Sequence, residues 1–201
     1  GSAQLFMGAG GSEKLLEALA IYDELGDNIQ KLKVINNLAW LYSIMGKWDD
    51  ALVLTEELIS LARSMGDFQN MGFGLLNSGD ILIRMGSYEE AERRLKAAYR
   101  HFVVLDDKRL INSTELTFAI LYKAKCDAEK ARTHFLRAIE GFSQGGFINQ
   151  LPELYFEFGE MEHTCGDGKR AQELFSEGLE FARKMKDSSW TEKLERRISR
   201  S

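Results

Sequence analysis

Apolar residues recur along this chain at steps of three and four, in runs that stop at glycine, and the runs themselves return every 40 residues. Leu32, Ile35, Leu38, Ala39 and Tyr42 make one such run. After Gly46 a second follows: Trp48, Ala51, Leu52, Thr55, Leu58, Ile59 and Ala62. Each run is one apolar stripe of an amphipathic helix, so the spacing predicts a helix pair divided by a glycine turn. Ala51, Ala91, Ala131 and Ala171 keep the 40-residue interval without slippage. A fixed period of this size marks a stack of copies of one supersecondary unit, not a globule around one buried site.

Local chemistry agrees with that division. Gly46, Gly86 and Gly166 fall where a first helix must end, in a backbone conformation that glycine adopts without a side-chain penalty. Asp27, Asp67 and Asp107 stand one place before the next first helix, as N-cap residues do. Asp49, Glu89, Glu90 and Glu129 fall in the first turn of second helices, where the helix dipole favours negative charge. Small residues recur at facing places: Ala39, Gly79, Ala119 and Gly159 midway through first helices, and the four periodic alanines early in second helices. They predict close approach of paired helices, near the lower end of the ~8–10 Å interaxial range. Leu95, Phe135 and Phe175 return at the next inward place.

The register predicts four helix pairs, at 27–66, 67–106, 107–146 and 147–187. Glu13 to Leu25 reads as a leading half-repeat whose first helix is missing, which is expected of a piece of a longer protein. Ser189 to Arg200 reads as a C-terminal capping helix, with Trp190, Leu194 and Ile198 on one face. Residues 13–200 are thus expected to form a single solenoid domain. Residues 1–12 read as a flexible linker with an expression scar at Gly1-Ser2; an engineered linker at residues 8–12 would leave Ala3 to Met7 as a tethered peptide or tag remnant.

Leu38 and Ala39 followed by Tyr42, then Gly46, Trp48 and Ala51, resemble the tetratricopeptide repeat in its 40-residue variety. Gly79 followed by Gly86, Tyr88 and Ala91 is closer still to that pattern. Cys126 departs from it at a turn glycine, and Glu162 and Gly168 depart at aromatic places. The resemblance extends over about residues 13–187 and implies an all-α, right-handed α-α superhelix. Forty-residue versions resemble those of kinesin light chain and spindle-orientation adaptors, and also sensor domains of bacterial and archaeal signalling ATPases and transcription regulators. What the resemblance implies about function is a non-catalytic module that binds a peptide or helical segment of a partner along a concave groove. The alternative it leaves open is a regulatory or sensor domain of a larger signalling ATPase or transcription regulator.

Composition narrows this picture a little. A single proline in 201 residues fits an almost wholly helical chain. The net charge of -5 argues against broad nucleic-acid binding. No apolar run approaches a membrane span, so no membrane partner is expected. Two cysteines, Cys126 and Cys165, make no disulfide framework and suit a reducing, cytoplasmic setting. The sequon at Asn112 is read as accidental, and homo-oligomerisation is left open.

Carrying over the groove register of the resembled family places Lys33, Asn36, Asn37 and Trp40 in the groove from the first unit. Phe73, Asn77, Asp80, Ile83 and Arg84 follow from the second, and Thr117, Ile120 and Lys123 from the third. The fourth supplies Glu153, Phe156, Glu157 and Glu160. Asn37 and Asn77 are equivalent places, and an asparagine amide both donates to and accepts from an extended peptide backbone; the alternative is that both simply meet water. Trp40, Phe73, Ile120 and Phe156 are anchors of the kind a binding surface needs, or ordinary packing residues if the register is off by one. Glu153, Glu157 and Glu160 share one helical face and repel unless a cation arrives, which would favour a basic partner there. A clamp for a terminal carboxylate does not carry over, because Asn36, Trp40 and Thr117 stand at several of its places.

Catalytic chemistry is not expected. Gly8 to Ser12 lacks the lysine of a phosphate-binding loop. His163 and Cys165, with Glu162 beside them, are spaced so that a helix turns their side chains apart, so a metal site is not expected; Cys126 falls at a nearly equivalent turn one unit earlier, which leaves oxidation of the two cysteines as a minor alternative. His101 and His134 read as isolated surface residues, and no carboxylate is seen to pair with an apolar pocket. No cofactor is predicted.

Overall fold

The computed structural model describes residues 11–199. Ten α-helices and one 3₁₀ turn are present among them, and no strand. In chain order these are α1 (Gly11–Glu24), α2 (Asn28–Ile44), α3 (Trp48–Met65), α4 (Phe68–Arg84), α5 (Tyr88–Val104), α6 (Lys108–Ala124) and α7 (Ala128–Gln144). The 3₁₀ turn Ile148–Gln150 then leads into α8 (Leu151–Thr164), followed by α9 (Gly168–Lys184) and α10 (Ser188–Ile198). The chain divides into two compact units, the first ending at Asp106 and the second beginning at Asp107.

The same short turn ends each of α1 to α9. In the turn after α2, the Lys47 N–H donates to the Tyr42 carbonyl at 2.9 Å and the Gly46 N–H to the Ser43 carbonyl at 3.1 Å. That double bond pattern satisfies carbonyls the helix itself leaves open, and it needs one residue in the left-handed region. Gly46 takes that place at φ 75°, and Gly86 at 77°. Asp106, Cys126 and Lys186 take the equivalent places at φ 51°, 58° and 57°, so these three turns hold a side chain where glycine is unstrained. The first helix of each next pair is capped as expected: Asp27, Asp67 and Asp107 accept from the backbone N–H of Gln30, Asn70 and Leu110. Phe147 breaks the series, having no side-chain acceptor. There the chain enters through the 3₁₀ turn, and Pro152, the one proline, sits in the first turn of α8 where a missing N–H costs nothing.

Packing follows the small residues. Ala39, Ala51, Ala91, Ala119, Ala131 and Ala171 are buried. Leu95 fills the space left by Gly79, where an added Cβ would lie 2.6 Å from its Cδ2, and Phe175 fills the space left by Gly159. Phe102, Phe135, Phe142 and Phe175 are fully buried, and Phe135 stacks on Phe158 at 4.8 Å. Burial of each such side chain contributes roughly 1.5–3 kcal/mol.

One helix stands at each end of the helical series. In the first unit, Leu15 of α1 packs with Val34, Leu38 and Leu41, so α1 holds the place of a second helix against α2. In the second unit, Leu194 of α10 packs with Ala171, Phe175 and Ala182. Asp187 caps α10 by accepting from the Trp190 N–H, as Asp27 caps α2, and α10 touches both α9 and α8. The helix expected as a cap therefore stands where the first helix of a fifth repeat would stand. Of the expected linker, residues 1–10, with the scar and Ala3 to Met7, lie outside the described residues; Gly11 and Ser12 open α1. Arg200 also lies outside them.

Two glycine-to-alanine changes should move stability in opposite directions. Gly168 has open space around it in α9, so Gly168→Ala gains part of the ~1 kcal/mol helix-propensity difference. Gly79→Ala meets Leu95 and should lose about 1 kcal/mol net, since overpacking costs about 1–3 kcal/mol. Urea unfolding followed by circular dichroism measures both.

Candidate functional site

In the first unit the faces of α2 and α4 that carry the groove register are open to solvent to different degrees. Leu32, Ile35, Leu38 and Ala39 are buried, whereas Lys33, Asn37 and Trp40 on the other face are exposed. Lys33, Asn37 and Trp40 thus lie away from the packed side of α2. Trp40 is 44% exposed and Ile44, one turn on, is 41% exposed. In α4, Phe73 and Asp80 are half-buried and Arg84 is exposed. Phe73 sets its ring edge-on to Phe102 at 6.0 Å, so it is shared between the face and the core. Ile83, expected in the groove, is buried instead, alongside Ile81 and Leu82.

The asparagines are arranged differently from the expectation. Asn77 Nδ2 donates to Asn36 Oδ1 at 2.8 Å, which ties α4 to α2. Asn37, the residue equivalent to Asn77 by spacing, stays exposed. One amide of the presumed pair is thus partly engaged within the fold, a cross-repeat bond that spacing alone does not reveal. Asp80 accepts from Arg84 Nε at 3.0 Å.

In the second unit the corresponding faces belong to α6, α8 and α10. Thr117 donates its hydroxyl to the Ser113 carbonyl at 3.0 Å, and Ile120 is half-buried. Lys123 Nζ donates to Glu157 Oε2 at 2.7 Å, joining α6 to α8. Glu160 is ion-paired with Arg197, joining α8 to α10. The glutamate face of α8 does meet cations, but they come from this chain itself. The expectation of a basic partner at that end is corrected accordingly. Phe156 lies 5.7 Å from the Trp190 ring and 5.9 Å from the Phe175 ring. Lys193 Nζ sits over it at 3.9 Å.

Three further features were not legible beforehand. Arg132 forms a two-pronged bond to Glu162, 2.7 Å on each arm, and the Glu162 side chain is 3% exposed. The bonds to Glu162 hold the Arg132 guanidinium above its ordinary pKa. The one sequence signal was a glutamate standing at an aromatic place. His134 is not isolated: its Nδ1 lies 2.6 Å from Glu115 Oε2, and its ring stacks against Phe118 at 5.1 Å and Tyr122 at 5.2 Å. That Glu115 is buried corrects the reading that no carboxylate pairs within an apolar setting. His101 stacks on Phe68 at 6.2 Å beside a hollow of about 340 Å³, and burial pushes its pKa down.

Cys126 and Cys165 are exposed free thiols that line one hollow of about 390 Å³ with Met161 and Lys123. Among the described residues no cluster of metal-ligating side chains occurs. Asn112 is buried against Gly141 inside a helix, which closes the sequon to modification. Among the described residues no helix is long and apolar enough to cross a membrane.

Removing Arg132 strands a buried carboxylate, so Arg132→Ala should cost about 2 kcal/mol, a value reduced from the fully buried case because the arginine is partly exposed. Arg132→Met with Glu162→Leu should cost clearly less in the same urea titration, since no charge is left behind. For His101 the folded-state pKa lies below the ordinary 6.5, so its contribution is present above that pH and is lost as pH falls through the folded value. His101→Phe should flatten that acid limb of the stability–pH curve, measured by thermal unfolding between about pH 5 and 8.

No family model and no curated protein matches the chain. Solved structures do resemble it. Aspartyl phosphate phosphatase F from Bacillus subtilis superimposes with a TM-score of 0.84 at 16% identity, over 96% of this chain and 51% of that one. A Rap protein complexed with competence and sporulation factor gives 0.67 at 15%, over 94% and 57%. The chain thus spans little more than half the length of these two proteins. The nearly identical TPR-like repeats assigned to a kinesin light chain of Podosopora anserina give 0.63 at 15%, over 92% and 94%. With its paired helices, its 40-residue period and these neighbours, the chain has the fold of the tetratricopeptide-type helical repeats.

Proposed function

We propose that this chain is a non-catalytic protein–protein interaction module that holds a peptide or helical segment of a partner against the first-helix faces. The observation that carries this reading is Trp40. A tryptophan that leaves 44% of its surface in water, one turn from an equally open Ile44, is placed as an anchor rather than as core. Lys33 and Asn37 flank it with hydrogen-bonding capacity, and Phe73 offers a second, half-covered apolar surface. The Rap neighbour, complexed with a factor, supports the use of this fold for binding. The greater length of the phosphatase and Rap neighbours keeps a second reading in view, a regulatory domain acting within a larger signalling protein.

Peptides selected from a displayed library against the native chain test the proposal. Trp40→Ala should weaken a selected peptide by about thirtyfold, the scale of a hot-spot residue, in fluorescence anisotropy. Asn37→Ala should weaken it less, and circular dichroism should be unchanged in both. Failure to select any peptide, or selected peptides indifferent to Trp40, would defeat the reading.

A further inference from the structure

We infer that Cys126, Cys165 and Met161 form a site in the second unit for one soft monovalent cation of the Cu(I) class, held by two thiolates and a thioether. The inference is independent of the binding reading above. Cys126 and Cys165 are both exposed free thiols, and both line one hollow of about 390 Å³. Met161 lines the same hollow from a buried place on α8, and Ala124 and Ala128 add apolar wall. Met161 and Cys165 stand four residues apart, which sets them on one face of the helix; His163, between them, is turned away and does not line the hollow.

Position favours an ion over a disulfide. Cys126 belongs to the turn after α6, and Cys165 caps the end of α8. Those two helices are tied by Lys123 and Glu157. Neighbouring helices stand roughly 8–10 Å apart, whereas a disulfide needs its Cα atoms within about 4.4–6.8 Å. Two sulfur–metal bonds of about 2.3 Å each bridge a gap that one S–S bond does not. Cys126 also holds a left-handed φ of 58° where Gly46, Gly86 and Gly166 hold the equivalent place. A thiol is thus carried at a strained position where the turn itself asks for no side chain.

Donor chemistry selects the ion. The oxygen donors next to the two cysteines are engaged elsewhere: Asp127 pairs with Lys130, Glu162 with Arg132, and Asp167 accepts from the Arg170 N–H. Among the described residues no histidine, aspartate or glutamate joins the thiols in a metal-ligating cluster. A tetrahedral zinc centre would therefore lack its remaining protein ligands. Two thiolates and a polarisable thioether make an all-sulfur set, and soft sulfur donors select Cu(I). On binding, each thiol releases one proton, two S–Cu bonds form and no electron moves. Affinity must then rise with pH while the thiols titrate.

The test adds Cu(I), delivered anaerobically as its bicinchoninate complex, to the reduced native chain and reads transfer as loss of that complex's absorbance. One ion per chain should transfer, with affinity rising between about pH 6 and 8. Cys126→Gly removes the thiol and relaxes the turn, and Cys165→Ser alters an exposed position. Each should lower the affinity by more than about a hundredfold, beyond the effect of losing an outer-shell partner, with circular dichroism unchanged. Met161→Leu keeps the packed volume and should weaken binding by a smaller factor. No transfer, indifference of any of the three variants, displacement by excess Zn(II), or a copper-dependent dimer in gel filtration (one thiol from each of two chains) overturns the inference. Loss of both thiols to an intramolecular disulfide on exposure to oxidised glutathione, counted with a thiol reagent, overturns it as well.

Discussion

The left-handed residue that ends each of α1 to α9 is the constraint from which the rest follows. It turns the chain within three residues, places two N–H groups on otherwise open carbonyls, and sets the start of the next helix at a fixed point. Because every turn uses the same geometry, the helices keep near-constant length and the pairs keep one register. Only then can a glycine or alanine in one helix face the same place in its partner each time. The tolerance of the turn is visible where the glycine is gone: Asp106, Cys126 and Lys186 accept the strained region, and the period does not change.

Given that frame, the repeats differ in how one first helix is joined to the next. In the first unit a neutral amide bond, Asn77 to Asn36, makes the link. In the second, ion pairs do so, Lys123 with Glu157 and Glu160 with Arg197. The buried Arg132–Glu162 bond and the stacked His134 against Glu115 add polar ties between second and first helices. Each tie removes a group from the pool that a partner can address. In the first unit these ties leave Trp40 and Ile44 as open apolar surface.

Much of the fold was legible because helical periodicity, caps and small-residue spacing are local signals. The caps Asp27 and Asp67 and the Gly79–Leu95 approach follow from positions a few residues apart or one period apart. The entry into α8 was less legible, since Phe147 replaces the capping aspartate and a 3₁₀ turn makes up the difference. Ile83 escaped prediction because its burial depends on what packs over the end of α4, which spacing along the chain does not carry.

The sequence by itself determined the period, the all-helical class and which face of each helix is buried, because these depend on residue spacing along one chain. Tertiary structure alone decided which polar groups find partners. Asn77 meets Asn36 from 41 residues away, Lys123 meets Glu157 from 34 and Arg197 meets Glu160 from 37. Side chains that far apart are brought within bonding distance only when helices stack, and charge balance at a surface is a property of that stacking.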